Sequence, residues 1–435
     1  MNLRQSLTQK NMRRLIIPLL LCSFIALPAI AETPLAATTL ADDIDGRIYG
    51  RITTDDGEVF EGIIRWDRNE ASWVDVLNGD KVFYRDRRMS DSDDRDNRGK
   101  RIEIFGVTVY EENRSSSNKG GSSTRTSGIR FGHISTLERD GNSAILELQS
   151  GEKIEFKNGS TDIGSDIREI IVEDAERGEV ELKWKDIDFI EFFQAPRSVR
   201  SDYGKRLHGT LMTRGGLEFT GFICWDIDEV LTSDILDGND EKRRRRKVRF
   251  GNIDTIQRNS SSSSLVILKN GEEMVLRGTN DVNDDNSGIL VLDPMLGQVE
   301  VDWSDFDQVT FSEAEYVPTF DDFGYSGPLY GTVFTRDGDA IEGIIRWDDD
   351  EASGWEFLDG EMDDLTFDIE FGKIRTIERI SSSSAEVILF DGRNFDLRDS
   401  NDVDDDNDGI FIYDDNGDET RISWRDFDKI VFDKP

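Results

Sequence analysis

Cysteine is nearly absent from this chain of 435 residues: there are two, Cys22 and Cys224. Cys22 falls in an N-terminal leader, so a chain that has lost the leader has no intrachain disulfide to staple it. Histidine is equally scarce, with only His133 and His208. Zinc chemistry, which needs nitrogen and sulfur ligands, is poorly served. So is nucleophilic catalysis by a Ser–His or Cys–His pair. No GxSxG, HExxH or phosphate-loop pattern occurs. Positive charge is in deficit, with 53 basic residues against 91 acidic ones. A chain of net charge −38 repels phosphate backbones and anionic lipid, which excludes nucleic acid as a partner. Beyond the leader, no apolar run is long enough to span a bilayer as a helix.

The leader has the organisation of a secretory signal over residues 1–31. Lys10, Arg13 and Arg14 form a positive region, Leu15 to Leu27 an apolar region, and Ala29-Ile30-Ala31 a small-residue cleavage site. It carries four basic residues and no acidic one, so cleavage near Ala31 would move the charge from −38 to −42. The expectation is an exported protein, periplasmic or extracellular, without a transmembrane segment in its mature form.

What the chain does have is internal similarity. GRITTDDGEVFEGIIRWD (Gly50 to Asp67), GTLMTRGGLEFTGFICWD (Gly209 to Asp226) and GTVFTRDGDAIEGIIRWD (Gly331 to Asp348) align without a gap. Asp56-Gly57, Gly215-Gly216 and Asp337-Gly338 mark a tight hairpin turn at the same point in each. Each first half closes on FGHISTLER, FGNIDTIQR or FGKIRTIER, from Phe131, Phe250 and Phe371. Each second half has its own turn, at Ser150-Gly151, Asn270-Gly271 or Asp391-Gly392. It closes on WKDIDFIEF, WSDFDQVTF or WRDFDKIVF, from Trp184, Trp303 and Trp424. The apolar period is that of strands, and the closing motifs read as strand, short helical turn, strand.

These features predict an all-β protein of three tandem repeats, at 45–195, 205–313 and 329–435. The first repeat carries a flexible insertion at about 85–127, with a loop from Ser115 to Ser127. The pattern resembles SH3-like and Sm-like small β-barrels, and on that resemblance each repeat comprises two small-barrel halves. The joint between the second and third repeats is rich in aromatics (Tyr316, Phe320, Phe323, Tyr325), which predicts packing across a domain surface.

Four places invite a chemical reading. NDVDDDNDGI, Asn401 to Ile410, offers Asp402, Asp404, Asp406 and Asp408 as hard oxygen ligands for calcium. An EF-hand is excluded, because Asp415 would lie roughly 20 Å further along a strand. The other reading is a turn in which Asp402, like its counterparts Asp162 and Asp281, bonds nearby backbone amides. Trp73 and Trp355 have no counterpart in the middle repeat, and exposed rings there could stack on a sugar or peptide. Arg243, Arg244, Arg245 and Arg246, inside the run KRRRRK, could dock on an acidic surface or form a solvated loop. The carboxylate pairs Asp186/Asp188, Asp305/Asp307 and Asp426/Asp428 recur at a structural turn, which favours capping over acid–base catalysis. The expectation is therefore a non-catalytic binding or scaffolding module with a protein or carbohydrate partner. No cofactor is required, except for the calcium reading. The rival is a carboxylate-dependent hydrolase acting on an extracytoplasmic polymer.

Overall fold

The computed structural model describes residues 43–84, 101–104, 107–111, 122–157, 162–201, 203–324 and 326–434. The leader and Ser115 to Gly121 lie outside them. Among the described residues there is no α-helix, only short 3₁₀ turns between strands, and no helix long and apolar enough to cross a membrane. The chain is all-β, with two large antiparallel sheets and one small two-stranded ribbon.

In the first sheet the strand order is Gly178–Leu182, Ile170–Asp174, Val59–Trp66, Tyr49–Thr54, Ile187–Phe192, Ile134–Asp140, Ser143–Leu148, Lys153–Lys157, Val76–Tyr84, Ser122–Arg130. Strand for strand, the same neighbours recur between His208 and Phe311. They recur again between Tyr330 and Phe432.

This order has a consequence for the two halves seen in the sequence. The opening hairpin, Tyr49 to Trp66, is flanked by Ile187–Phe192 and Ile170–Asp174, which belong to the second half. The late strand of the first half, Ile134–Asp140, pairs with Ser143–Leu148, also of the second half. The halves therefore interleave, and neither closes alone. A hairpin has two unpaired edges, and here strands distant in sequence satisfy them. Part of the expected insertion loop is also ordered: Ser122–Arg130 pairs in register with Val76–Tyr84. Its alternating Thr124 and Thr126 suit an extended strand.

Large aromatics close each core. Trp66, Trp225 and Trp347 have no exposed surface. Each meets a second indole edge to face: Trp184 at 6.3 Å, Trp303 at 6.3 Å and Trp424 at 6.2 Å. The buried N–H of the first donates across the core to Asp162 O, Asp281 O and Asp402 O at 2.9, 2.9 and 3.0 Å.

The three segments join in different ways. Between the middle and C-terminal segments the sheets fuse, because Gly297–Val301 pairs with Leu365–Glu370. Gly297 has φ +148, and a Cβ there would stand 2.0 Å from Asp368 O, so only glycine permits the approach. Between the N-terminal and middle segments the contact is by side chains. Arg206 reaches Asp75 at 2.7 Å with both groups buried, and Arg65 forks onto Asp234 at 3.1 Å through each nitrogen. Cys224, which strand alternation puts on the outer face of its sheet, is buried in this joint. Burial pushes its thiol well up, so it is a packing group and not a nucleophile.

Candidate functional site

A cleft of about 470 Å³ lies where all three segments and the 314–328 joint meet. Its floor is polar. Arg130, fully buried, donates to Asp293 O at 2.8 Å and Gly297 O at 3.0 Å, and lies 3.5 Å from Glu370. Arg130 comes from the N-terminal segment, its carbonyl acceptors from the middle one and Glu370 from the C-terminal one. His133 lies between Phe323 O at 3.2 Å on Nδ1 and Glu370 Oε1 at 2.8 Å on Nε2. Burial opposes the Glu370 charge, but Arg130, Lys373 and His133 outweigh it and hold the carboxyl down at about 2.

The joint supplies one wall. Phe323 packs edge-on to His133 at 5.2 Å and sits where a Cβ on Gly132 would be, 2.2 Å from its ring. Phe320 lies 4.9 Å from Trp73. The rim is apolar and open: Met295, Tyr316 and Tyr330 are among the few exposed large apolar side chains. The hydroxyl of Ser326 lines the cleft, buried and without a hydrogen-bond partner.

The residues singled out in the sequence fall elsewhere. Trp73 and Trp355 have no exposed surface, which corrects the stacking role considered for them. Trp73 donates to Asp45 O at 3.1 Å. Trp355 donates to Glu152 of the N-terminal segment at 3.0 Å, with the Lys81 ammonium over its ring. Their cover comes from other parts of the chain, so local sequence gave no sign of it. The basic run forms an exposed hairpin end whose charge is answered locally. Arg244 and Arg246 reach Asp240, at 2.8 and 3.1 Å, and Arg245 reaches Asp237 at 2.6 Å. Arg243 takes the left-handed turn position, at φ 60.

Nor do the four aspartates of the acidic stretch converge. Asp402 turns inward and accepts the amide of Asp359 at 2.7 Å. Asp281 and Asp162 accept the amides of Asp237 and Asn78 in the same way, so the shared aspartate anchors a distant strand and does not cap its own turn. Asp404 does form the local turn, accepting the Asp406 amide at 2.9 Å, and Asp406 faces outward. Among the described residues the carboxylates that approach as a trio, within 4.8 Å, are Asp348, Asp350 and Glu351. Lys81 lies beside them, donating to Asp350 O at 2.7 Å. The double variant Asp404→Asn, Asp406→Asn is thus expected to leave any calcium-dependent rise in Tm unchanged. Thermal melts with and without calcium check this, and a lost response would restore the acidic stretch as a cation site. The recurring acid pairs serve the turns: Asp186 accepts the Lys183 amide and Asp426 the Ser423 hydroxyl.

Sequence reading missed a second set of acids. Glu70, Glu229 and Glu351 end the tight turns that follow the three core tryptophans. Each has one carboxylate oxygen buried and without a hydrogen-bond partner. Burial, then repulsion from Asp162, Asp281 or Asp402, pushes these carboxyls up: Glu229 to about 9, the other two well above the normal range. The folded chain therefore holds protons there that the unfolded chain releases at about pH 4.5. Their contribution is complete below that pH and is lost as pH rises towards 9. Tm is expected to fall steadily from about pH 5 to about pH 9. Glu229→Gln should flatten the slope, and a wild-type Tm that climbs over this range would contradict the burial of these acids.

Compared with family models, with curated proteins and with solved structures, the chain matches none.

Proposed function

We infer that the chain is an exported, non-catalytic binding or scaffolding protein. On this reading it consists of three tandem repeats, each with two interleaved units resembling SH3-like small barrels. The recurring strand order supports the repeat reading, and the leader supports export. The observation that carries the function is the cleft. It has an apolar, exposed rim over a charged floor and one unpartnered hydroxyl, the composition of a recognition site. Its only histidine has both ring nitrogens committed, to Phe323 O and Glu370, so it cannot take a proton from Ser326. The ligand class that fits is a short peptide or oligosaccharide with polar groups for the floor and an apolar face for Met295, Tyr316 and Tyr330.

The hydrolase reading has one observation in its favour. Asp359 and Asp368 stand opposite each other on paired strands and share a hydrogen bond, and burial pushes Asp368 up to about 6. They lie at a strand joint and do not line the cleft.

A thermal-shift survey of short peptides and oligosaccharides tests the binding reading. Ligands should raise the Tm of the wild type and do so less for Tyr316→Ala and for Ser326→Trp, which fills the cleft. Equal shifts in all three proteins, or turnover of a polymer lost in Asp368→Asn, would overturn it.

A further inference from the structure

The two sheets leave strand edges open, and the open edges are not alike. The middle and C-terminal segments fuse through one specific pairing, Gly297–Val301 against Leu365–Glu370. Its register sets Gly297 opposite Ile369, Gln298 opposite Asp368, Val299 opposite Phe367 and Glu300 opposite Thr366. The Gln298 amide donates to Asp368 at 3.0 Å across the joint.

By strand order, the N-terminal counterpart of the first partner is Gly178–Leu182, and the middle-segment counterpart of the second is Arg245–Arg249. These two strands do not pair with each other, because the N-terminal and middle segments meet instead through Arg206–Asp75 and Arg65–Asp234. Each is hydrogen-bonded on one side only, to Ile170–Asp174 and to Ile235–Asn239. Among the described residues no strand takes the outer side of either. One edge reads GEVEL and the other RRKVR.

We propose that these two edges are an interface between copies of this chain, Gly178–Leu182 of one pairing antiparallel with Arg245–Arg249 of the next. Transferring the observed register sets Glu179 opposite Lys247, as a new ion pair, and Glu181 opposite Arg245, where it joins the pair that Arg245 makes with Asp237 at 2.6 Å. Opposite charges at directly facing strand positions are stabilising. All four side chains belong to exposed residues. On the inner face Val180 meets the aliphatic stem of Arg246, whose head is held by Asp240. The other exposed edge of this type, Glu419–Ile422, fits less well: it would put Arg421 opposite Arg245. Donor and acceptor edges differ, so each copy offers one of each. The contact is head-to-tail, which builds chains or rings and not an isologous dimer. Main-chain pairing of this kind is also how an open edge recruits any strand, and the complementary charges select a second copy over other strands.

Sedimentation velocity on the mature chain tests the proposal. At low salt the weight-average mass should rise with concentration. Self-association should weaken by at least about tenfold as salt shortens the screening length from about 10 Å to about 3 Å. Two variants separate the edges: Glu179→Lys with Glu181→Lys, and Arg245→Glu with Lys247→Glu. All four residues are exposed, so folding is preserved, and near-ultraviolet circular dichroism verifies it. Each variant alone should remain monomeric. Mixed, they should associate again in alternating head-to-tail order, since the two unaltered edges match each other and so do the two reversed ones. A wild type that is monomeric throughout, variants that associate as the wild type does, or a mixture that stays monomeric would overturn the proposal.

Discussion

Trp347→Ala is expected to lower stability by about 3–5 kcal/mol. The ring has no exposed surface and meets Trp424 at 6.2 Å, Phe427 at 5.4 Å and Phe371 at 6.3 Å. Its removal opens a cavity among side chains already locked against each other, and it strands the Asp402 carbonyl that the indole N–H serves at 3.0 Å. Trp66 and Trp225 occupy the same setting, so their alanine variants should fall in the same range. Denaturant unfolding gives the number. A loss under about 1 kcal/mol would mean that the ring is not a core element.

Arg130→Met should cost a comparable amount, about 3–5 kcal/mol, for a different reason. The guanidinium carries carbonyl hydrogen bonds from the middle segment and the charge that faces Glu370. Without it a buried carboxylate loses its main counter-ion and the Asp293–Gly297 turn loses its donor. Adding Glu370→Met should recover part of the loss, because the expense lies in the unpaired charge and not in the absent bond. The counterpart in the middle segment, Arg249, is exposed, and Arg249→Met should stay within about 0.5 kcal/mol. If Arg249→Met proves as costly as Arg130→Met, the three-segment junction is not where the stability resides.

The strands and turns were legible because they depend on neighbours in sequence. The hairpin glycines Gly57, Gly216 and Gly338 all have φ between +84 and +94, as their dipeptides implied. The recurring tryptophans, Trp66, Trp225 and Trp347 at the end of the opening hairpins and Trp184, Trp303 and Trp424 at the start of the last closing pattern, are all buried. What alternation cannot specify is which strand comes to which edge, since a period of two assigns faces and not partners. That is why the halves read as separate units but interleave. It is also why Asp402 read as a local turn residue when its partner, the Asp359 amide, lies 43 positions away. Trp355 read as exposed because its cover, Glu152, lies 203 positions away. The cleft was invisible for the same reason. Arg130, His133 and Glu370 stand at points of the shared sequence pattern where Arg249 and Asn252 also stand, and nothing in the local pattern marks one set as converging.

The central claim is that the cleft is one built structure, held jointly by three segments around Arg130 and Glu370. Hydrogen exchange followed by mass spectrometry on the full chain tests it most directly. Strand Leu365–Glu370, the turn Phe131–His133 and the joint around Phe320–Phe323 should be protected together, and Arg130→Met should release all three together. Deprotection confined to the neighbourhood of residue 130, with the other two segments exchanging as in the wild type, would contradict it.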